Sequence, residues 1–461
     1  VLTAHGYRVQ CLNFADLNTV PALAPGIERC GYNPLRHIRR KADGRPNQQD
    51  ILSVAKAICP IEDNNQPFWD HAAANLLSCL IAYVTEQLPA DEQTISSVIK
   101  LIEHLQDGAT GRLFDDLITT DPQSYALSLW RRYAITQNAE RMHASIVGIL
   151  AEKVMCLGFD GAAQLYRECH QVDFASMGHT PCALFVTVSD IDRNLDPLTG
   201  LFISQAFMGL IREADRQPDG SLPVPVRFML DDFANLQIPQ IDNVLSIIRS
   251  RNIWATLLLQ STNQLDALYG EARARSIMGN CDEFLYLGGN EQSTHEYVSK
   301  LLGKQTIDTN TYGQSKGRSG SYTTNFQTAG RELMTPDEVR MLDNRYALLF
   351  IRGERPVNDL KYNILKHPNV ALTTDGKAVA YQHGTDPLSV AAVSINLEKL
   401  KQAVPEDTDT GDYVVLTEEE VYDFMRKKAQ ENNQNQNSNY QEVTYEKHHP
   451  QHHPSHHPSD F

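Results

Sequence analysis

Basic side chains are in deficit. Lys and Arg number 41 against 57 Asp and Glu, a formal net charge of −16 over 461 residues. A protein that coats DNA by charge alone is excluded, because counterion release needs a surplus of cations. The shortfall is uneven, with thirteen acidic and six basic residues from Val393 onward. None of the eight cysteines (Cys11, Cys30, Cys59, Cys79, Cys156, Cys169, Cys182, Cys281) lies in a Cys-x-x-Cys pair. Free buried thiols in a reducing cytoplasm are therefore expected. No signal peptide is present. The longest apolar run, Ala72–Val84, is interrupted by Asn75 and falls short of the roughly 20 residues that cross a bilayer. A phosphate-binding Gly-x-x-x-x-Gly-Lys-Ser/Thr loop is also missing. Gly303-Lys304-Gln305-Thr306 lacks the upstream Gly and the adjacent hydroxyl, and Gly317-Arg318-Ser319 has neither the spacing nor the Lys.

What is present suits a globular chain. Hydrophobic residues make up 41% and charged residues 21%, which excludes a wholly disordered protein. The length suggests two or three domains at about 150 residues each. Six apolar runs read as core strands: Tyr7–Phe14, Cys182–Val188, Val226–Leu230, Ala255–Leu259, Phe284–Leu287 and Tyr346–Ile351. Several are continuous rather than alternating, as in parallel strands covered on both faces. Ile238–Ser250 has helical spacing between two of them, so an α/β sheet is expected.

The first two runs are separated by roughly 165 residues, far beyond one crossover connection. Phe68–Glu86, Ile95–Leu105 (with Thr94 as N-cap) and Met142–Met155 all have helical faces. An all-α insertion over 48–172 is expected inside an α/β domain made of 1–47 and 173–370. Asp308–Gly330, rich in Gly, Ser, Thr, Asn and Gln, reads as a mobile loop. Residues 371–461 read as an acidic, low-complexity, disordered tail. It carries one capped helix from Thr417 and a His-His-Pro-x repeat over His448–Pro458. That repeat suits an incidental or weakly metal-binding tail better than a metal site, since nothing near it fixes a geometry.

The most informative segment is Val226-Arg227-Phe228-Met229-Leu230-Asp231-Asp232-Phe233, an apolar strand running into two carboxylates. In open α/β sheets ligands lie outside the carboxyl ends of the strands. There one acid can hold magnesium and the next can orient an attacking water. The same pair equally suits a loop start or a helix cap. The next strand ends in Gln260-Ser261-Thr262. Its amide can sense a γ-phosphate or remain a surface Gln. Arg249 and Arg251 sit between the two strands, either as an arginine finger for a neighbouring subunit or as favourable charge at a helix end.

Together these segments resemble the type IV secretion coupling proteins, the TraG/TraD-like ATPases of bacterial conjugation. The resemblance rests on Gly6-Tyr7-Arg8-Val9, Tyr32-Asn33-Pro34-Leu35, Pro67-Phe68-Trp69, Leu230 to Leu236, Gln260-Ser261, Tyr269-Gly270, Asn280-Cys281-Asp282, Ser299 to Gly303, Leu333 to Glu338 and Lys366-His367-Pro368, in that order. It implies a RecA-like P-loop NTPase domain with an inserted all-α domain, in an inner-membrane-anchored homohexamer at the cytoplasmic face. Mg-ATP hydrolysis between subunits would drive single-stranded DNA, with its relaxase and relaxosome proteins, to the secretion channel. Asp231 becomes the magnesium acid, held through water, Asp232 the water-orienting base, Gln260 the phosphate sensor, and Arg249 the trans arginine with Arg251 in reserve.

Two departures stand out. The second acid is usually Glu in this family, and a carboxylate misplaced by about 1 Å can cost about 10²-fold in rate. The P-loop is absent, and in the family it precedes the segment matched by Val1. The chain starts just before a buried strand, so further polypeptide ahead of it, anchor included, is expected. Alone, the 461 residues should bind ATP weakly or not at all. Two other classes remain open: a non-hydrolysing receptor that recruits relaxosome proteins, and a chromosome-partition pump. The large helical insertion speaks against the pump. DNA contacts are expected on channel-facing loops, with Lys316 and Arg318 as one candidate, and the acidic tail is a possible dock for a basic accessory protein.

Overall fold

Apolar residues of the first run build β1 (Arg8–Asn13). The computed structural model describes residues 2–378 and the strand Gly384–Pro387, apart from 16–18, 23–25, 63–64, 138, 190, 192 and 315–321. After β1 come β2 (Thr19–Ala22) and β3 (Ile27–Arg29). The chain then becomes helical through α1 (Gln48–Ile58), α2 (Pro67–Gln87), α3 (Ile95–Glu103), α4 (Ala109–Thr120), α5 (Tyr125–Gln137), α6 (Glu140–Val154), α7 (Asp160–Arg167) and α8 (Phe174–Met177).

Local chemistry starts these helices where the sequence places them. Asn47 accepts from the N–H groups of Gln49 and Asp50, and Thr94 from that of Ser97. The Glu86 carboxylate, at the end of α2, accepts from the N–H groups of Tyr125 and Ala126 and so holds the first turn of α5. α2 is buried nearly all round, as the centre of a helical packing unit must be. Among the described residues no single helix is long and apolar enough to cross a membrane. Phe114 and Trp130 stack beside α2 with centroids 4.2 Å apart.

The sheet resumes with β4 (Cys182–Thr187), which runs parallel to β1 in register Arg8↔Cys182 to Asn13↔Thr187. After α9 (Asp196–Arg216), β5 (Val226–Leu230) pairs in parallel with β6 (Ile253–Leu257) across the short α10 (Ile241–Ile247). Phe207 of α9 stacks on Phe228 of β5 at 3.9 Å, which seats the helix on one sheet face. Asp50 ties α1 to this region. Its carboxylate accepts from Arg39 at 2.8 Å and from Arg212 of α9 at 3.1 Å.

The remaining elements are α11 (Asn263–Tyr269), α12 (Glu271–Gly279), β7 (Glu283–Tyr286), α13 (Gln292–Leu302), β8 (Lys304–Gln314), β9 (Tyr322–Glu332), α14 (Pro336–Arg340), β10 (Tyr346–Ile351), β11 (Val357–Leu360) and β12 (Gly384–Pro387). A second, smaller core of Tyr286, Val298, Val339 and Leu348 joins β7, β10, α13 and α14. β12 pairs with β2.

Three expectations are corrected. Asp308–Gly330 is not simply a loop. Its flanks lie in the antiparallel ribbon β8–β9, registered from Lys304↔Glu332 to Gln314↔Tyr322. Backbone pairing needs no apolar period, so a ribbon of Thr, Asn and Gln leaves no strand signature in the sequence. β10 runs antiparallel to both β7 and β11, so the sheet is not parallel throughout. The cysteines are all free but not all buried, since Cys169 and Cys281 are exposed. Burial does push the Cys30 and Cys59 thiols up to about 12. Lys316, Arg318, the tail helix, the acidic stretch and the histidine repeat lie outside the described residues.

Candidate functional site

The two acids and the amide meet at one rim. Leu230 pairs with Leu257 in parallel register, so Asp231 and Gln260 both leave their strands at the carboxyl end, on adjoining strands. The turn after β5 is sharp. Asp232 has a φ of 46°, a left-handed conformation that Asp tolerates better than most residues. Its N–H is accepted by Asp231 Oδ1 at 3.1 Å. The N–H of Phe233 then donates to Leu258 O at 3.0 Å, which locks the acidic turn to the end of β6. All three side chains, Asp231, Asp232 and Gln260, are exposed.

Packing beneath fixes this turn. Phe233 is fully buried and stacks on Tyr269 of α11. The Tyr269 hydroxyl donates to Leu236 O at 2.5 Å and accepts from the N–H of Ile238. At Gly200 of α9 a Cβ would lie 2.4 Å from Gln237 O, so only glycine lets the loop come this close. The sequence signalled Tyr269 only as part of a motif; its clamp on the acidic loop emerges from the packing.

Arg249 is not brought to this rim. It precedes β6 and therefore stands at the amino end of the strand, opposite Gln260. Its guanidinium pairs with Asp282 at 3.1 Å and is 74% exposed. Arg352 holds the other oxygen of Asp282 at 2.8 Å. Arg251 is committed elsewhere, to Asp215 at 2.9 Å and to Ile247 O. Of the two paired arginines, Arg249 is the more exposed, at 74% against 23%.

Between β6 and β7 the sheet is open. β6 is bonded only to β5, and β7 only to β10, among the described residues. The N–H of Leu258 donates to Leu230 O, so in a parallel ladder the alternate residues Ala255 and Leu257 turn their N–H and C=O groups away from β5. The two strands are nonetheless tied at both ends. Arg249 meets Asp282 at the amino end, and the N–H of Thr262 donates to Thr294 Oγ1 at 3.1 Å at the carboxyl end. Among the described residues these two open edges, tied at their ends, border a slot. The adjacent strands expose large apolar side chains: Met229 is 63% exposed, Leu285 55% and Leu287 52%, with Leu258 and with Trp254, over whose ring the Arg227 guanidinium lies. An exposed patch of this kind marks a surface that something else covers.

The donor set bears on magnesium. Among the described residues no group of three or more His, Cys, Asp or Glu could hold a metal ion. Asp231 alone suits Mg²⁺ that arrives with a nucleotide, since that ion keeps its waters and takes one or two carboxylates plus phosphate oxygens. The phosphate cradle itself is not among these residues.

An α/β nucleoside-triphosphatase fold of the RecA type, with a helical region inserted, is what these elements define. It matches the solved structure of the bacterial conjugative coupling protein TrwBdeltaN70 with a TM-score of 0.54 at 17% identity, covering 78% of each chain. TrwB in complex with ADP and Mg²⁺ matches with a TM-score of 0.51 at 17% identity, over 78% of this chain and 76% of that one. The chain belongs to the type IV secretory system conjugative DNA transfer family, which residues 4–383 match. It is 25% identical to the protein VirD4 of Rhizobium rhizogenes over 328 residues, 71% of this chain and 47% of the relative. It is 25% identical to the conjugal transfer protein TraG of Rhizobium radiobacter over 362 residues, 73% of this chain and 53% of the relative. The chain thus spans about half the length of these relatives.

Proposed function

We propose that this chain is the motor part of a conjugative coupling protein. In this reading a homohexamer at the cytoplasmic face of the inner membrane uses Mg-ATP hydrolysis to deliver relaxase-bound single-stranded DNA to a type IV secretion channel. The observation that carries it is the shared rim of Asp231 and Gln260 on adjoining parallel strands, beside the unpaired edges of β6 and β7. A strand–loop–helix segment from outside these 461 residues fills the slot. Its loop then reaches the rim, and its backbone amides cradle the phosphates.

In this reading Asp231 would hold Mg²⁺, Asp232 would orient the attacking water and Gln260 would contact the γ-phosphate. Arg249 stands at the opposite end of β6, which supports a role at a neighbour's site in a head-to-tail ring. Its partner Asp282 is exposed enough to give it up at little cost. The chain divides as 1–47 and 173–370 for the nucleotide domain and 48–172 for a helical domain that meets relaxosome proteins. The tail, 371–461, offers acidic groups to a basic accessory protein.

The missing cradle favours one second reading, a receptor that recruits relaxosome proteins without hydrolysis. ATP turnover separates the two. The protein carrying the cradle segment hydrolyses ATP with stimulation by single-stranded DNA, and Asp231→Ala abolishes it. Turnover absent from that protein, with relaxase still captured by residues 48–172, would establish the receptor instead.

A further inference from the structure

We propose that Glu291 is the positioning residue of this site, fixing the loop that presents Gln260 by binding across the slot from the β7 side. The inference rests on the motor reading for its consequence and on the hydrogen bonds for its geometry. Glu291 precedes α13 and caps it, accepting from the N–H groups of Ser293 at 2.8 Å and Thr294 at 2.9 Å. A cap needs no more than that. This carboxylate also accepts from both hydroxyls, Ser293 Oγ and Thr294 Oγ1, each at 2.8 Å. It further accepts from Asn263 Nδ2 at 2.9 Å.

Those extra bonds run to the other strand's loop. Thr294 Oγ1, oriented by Glu291, accepts from the backbone N–H of Thr262 at 3.1 Å. Ser293 Oγ has Asn263 Oδ1 at 2.9 Å as the alternative acceptor for its single proton, and lies 3.4 Å from Thr262 Oγ1. Thr262 and Asn263 are two and three residues beyond Gln260. One carboxylate thus holds the chain leaving β6 against the chain leaving β7, while Gln260 itself stays exposed. Burial alone would raise the Glu291 carboxyl, but the donors from Ser293 and Thr294 outweigh it and hold it at about 2. The network is therefore charged at every working pH. Charge-assisted bonds of this kind are the strong ones, and they suit a loop whose backbone must stay still while one side chain meets a phosphate.

The test begins with amide exchange on the 461-residue chain. In Glu291→Ala the Thr294 hydroxyl that accepts from the Thr262 N–H loses the carboxylate that orients it, and exchange at Thr262 rises about tenfold, the loss expected when that one hydrogen bond weakens. The Leu258 N–H, bonded to Leu230 O, serves as reference and stays unchanged. Unchanged exchange at Thr262, or Thr262 and Leu258 rising together, overturns the proposal. If Glu291→Ala fails to fold, Glu291→Gln keeps the size and carries the same comparison with a smaller rise.

The second arm is turnover in the protein carrying the cradle segment. Glu291→Ala lowers kcat with little change in KM for ATP, and it adds nothing in a Gln260→Ala background, because it acts only through that residue. Additive losses overturn the positioning role. Absence of turnover in the wild-type protein would defeat the motor reading, and the exchange result would still decide whether Glu291 orders the loop.

Discussion

Arg249 stands at the amino end of β6 and Asp231 and Gln260 at the carboxyl end of the β5–β6 pair. If catalysis uses all three, each complete site takes its acids from one subunit and its guanidinium from the next. Arg249→Ala should then leave the subunit's stability within about 1 kcal/mol of wild type, because the Arg249–Asp282 pair is largely exposed. Turnover should fall by about 10³-fold or more, the range seen for arginine fingers. The decisive assay mixes inactive partners. Arg249→Ala subunits keep their acids, and Asp231→Ala subunits keep their arginine. In a ring assembled at random from equal amounts, about one interface in four joins an intact acid set to an intact arginine. Independent interfaces would give about one quarter of the wild-type ATPase rate, and coupled firing around the ring would give less. The quarter rate of independently firing interfaces is far above both parents. If mixing restores nothing while the mixed rings demonstrably form, Arg249 does not act in trans and the assignment is wrong.

Other consequences are open to measurement. Phe207→Ala removes a buried ring stacked on Phe228 and should destabilise the chain by about 3–5 kcal/mol, read from the denaturant midpoint. At Asp50, burial would raise the carboxyl, but hydrogen bonds from Arg39 and the nearby Arg212 guanidinium hold it below its ordinary value. It therefore contributes stability that is fully present above the unfolded-state value and lost as pH falls through the lowered one. Asp50→Asn should flatten that acid limb of the stability curve. The 461-residue chain alone should show no rise in Tm with millimolar Mg-ATP; a rise of several degrees would mean that a phosphate cradle exists in it after all.

The strands that carry the site were legible because they are short, apolar and bounded by turns; Val226–Leu230 coincides with β5 end to end, while the run Ala255–Leu259 lies two residues beyond β6. Thr94 was legible as a cap because its side-chain oxygen has one obvious use before an amphipathic run. The β8–β9 ribbon was not, since its run of Thr, Asn, Gln and Gly carries no apolar period. Antiparallel pairing of β10 with β7 was hidden for another reason: strand direction depends on how far the intervening chain travels, not on the strand's own residues. Glu291 reads as an ordinary surface charge. Only the pairing of its Ser293-Thr294 neighbours with Thr262-Asn263, some thirty residues away, reveals what it holds. Arg249 could be ordered between β5 and β6 but not assigned to a rim until the parallel register was known.

The open slot also governs how the isolated polypeptide behaves in a test tube. Two unsatisfied strand borders flanked by bare Met, Trp and Leu side chains are the template on which chains stick to one another. Association seen with the 461 residues by themselves will therefore report the healing of that seam, and should not be counted as evidence for the working ring.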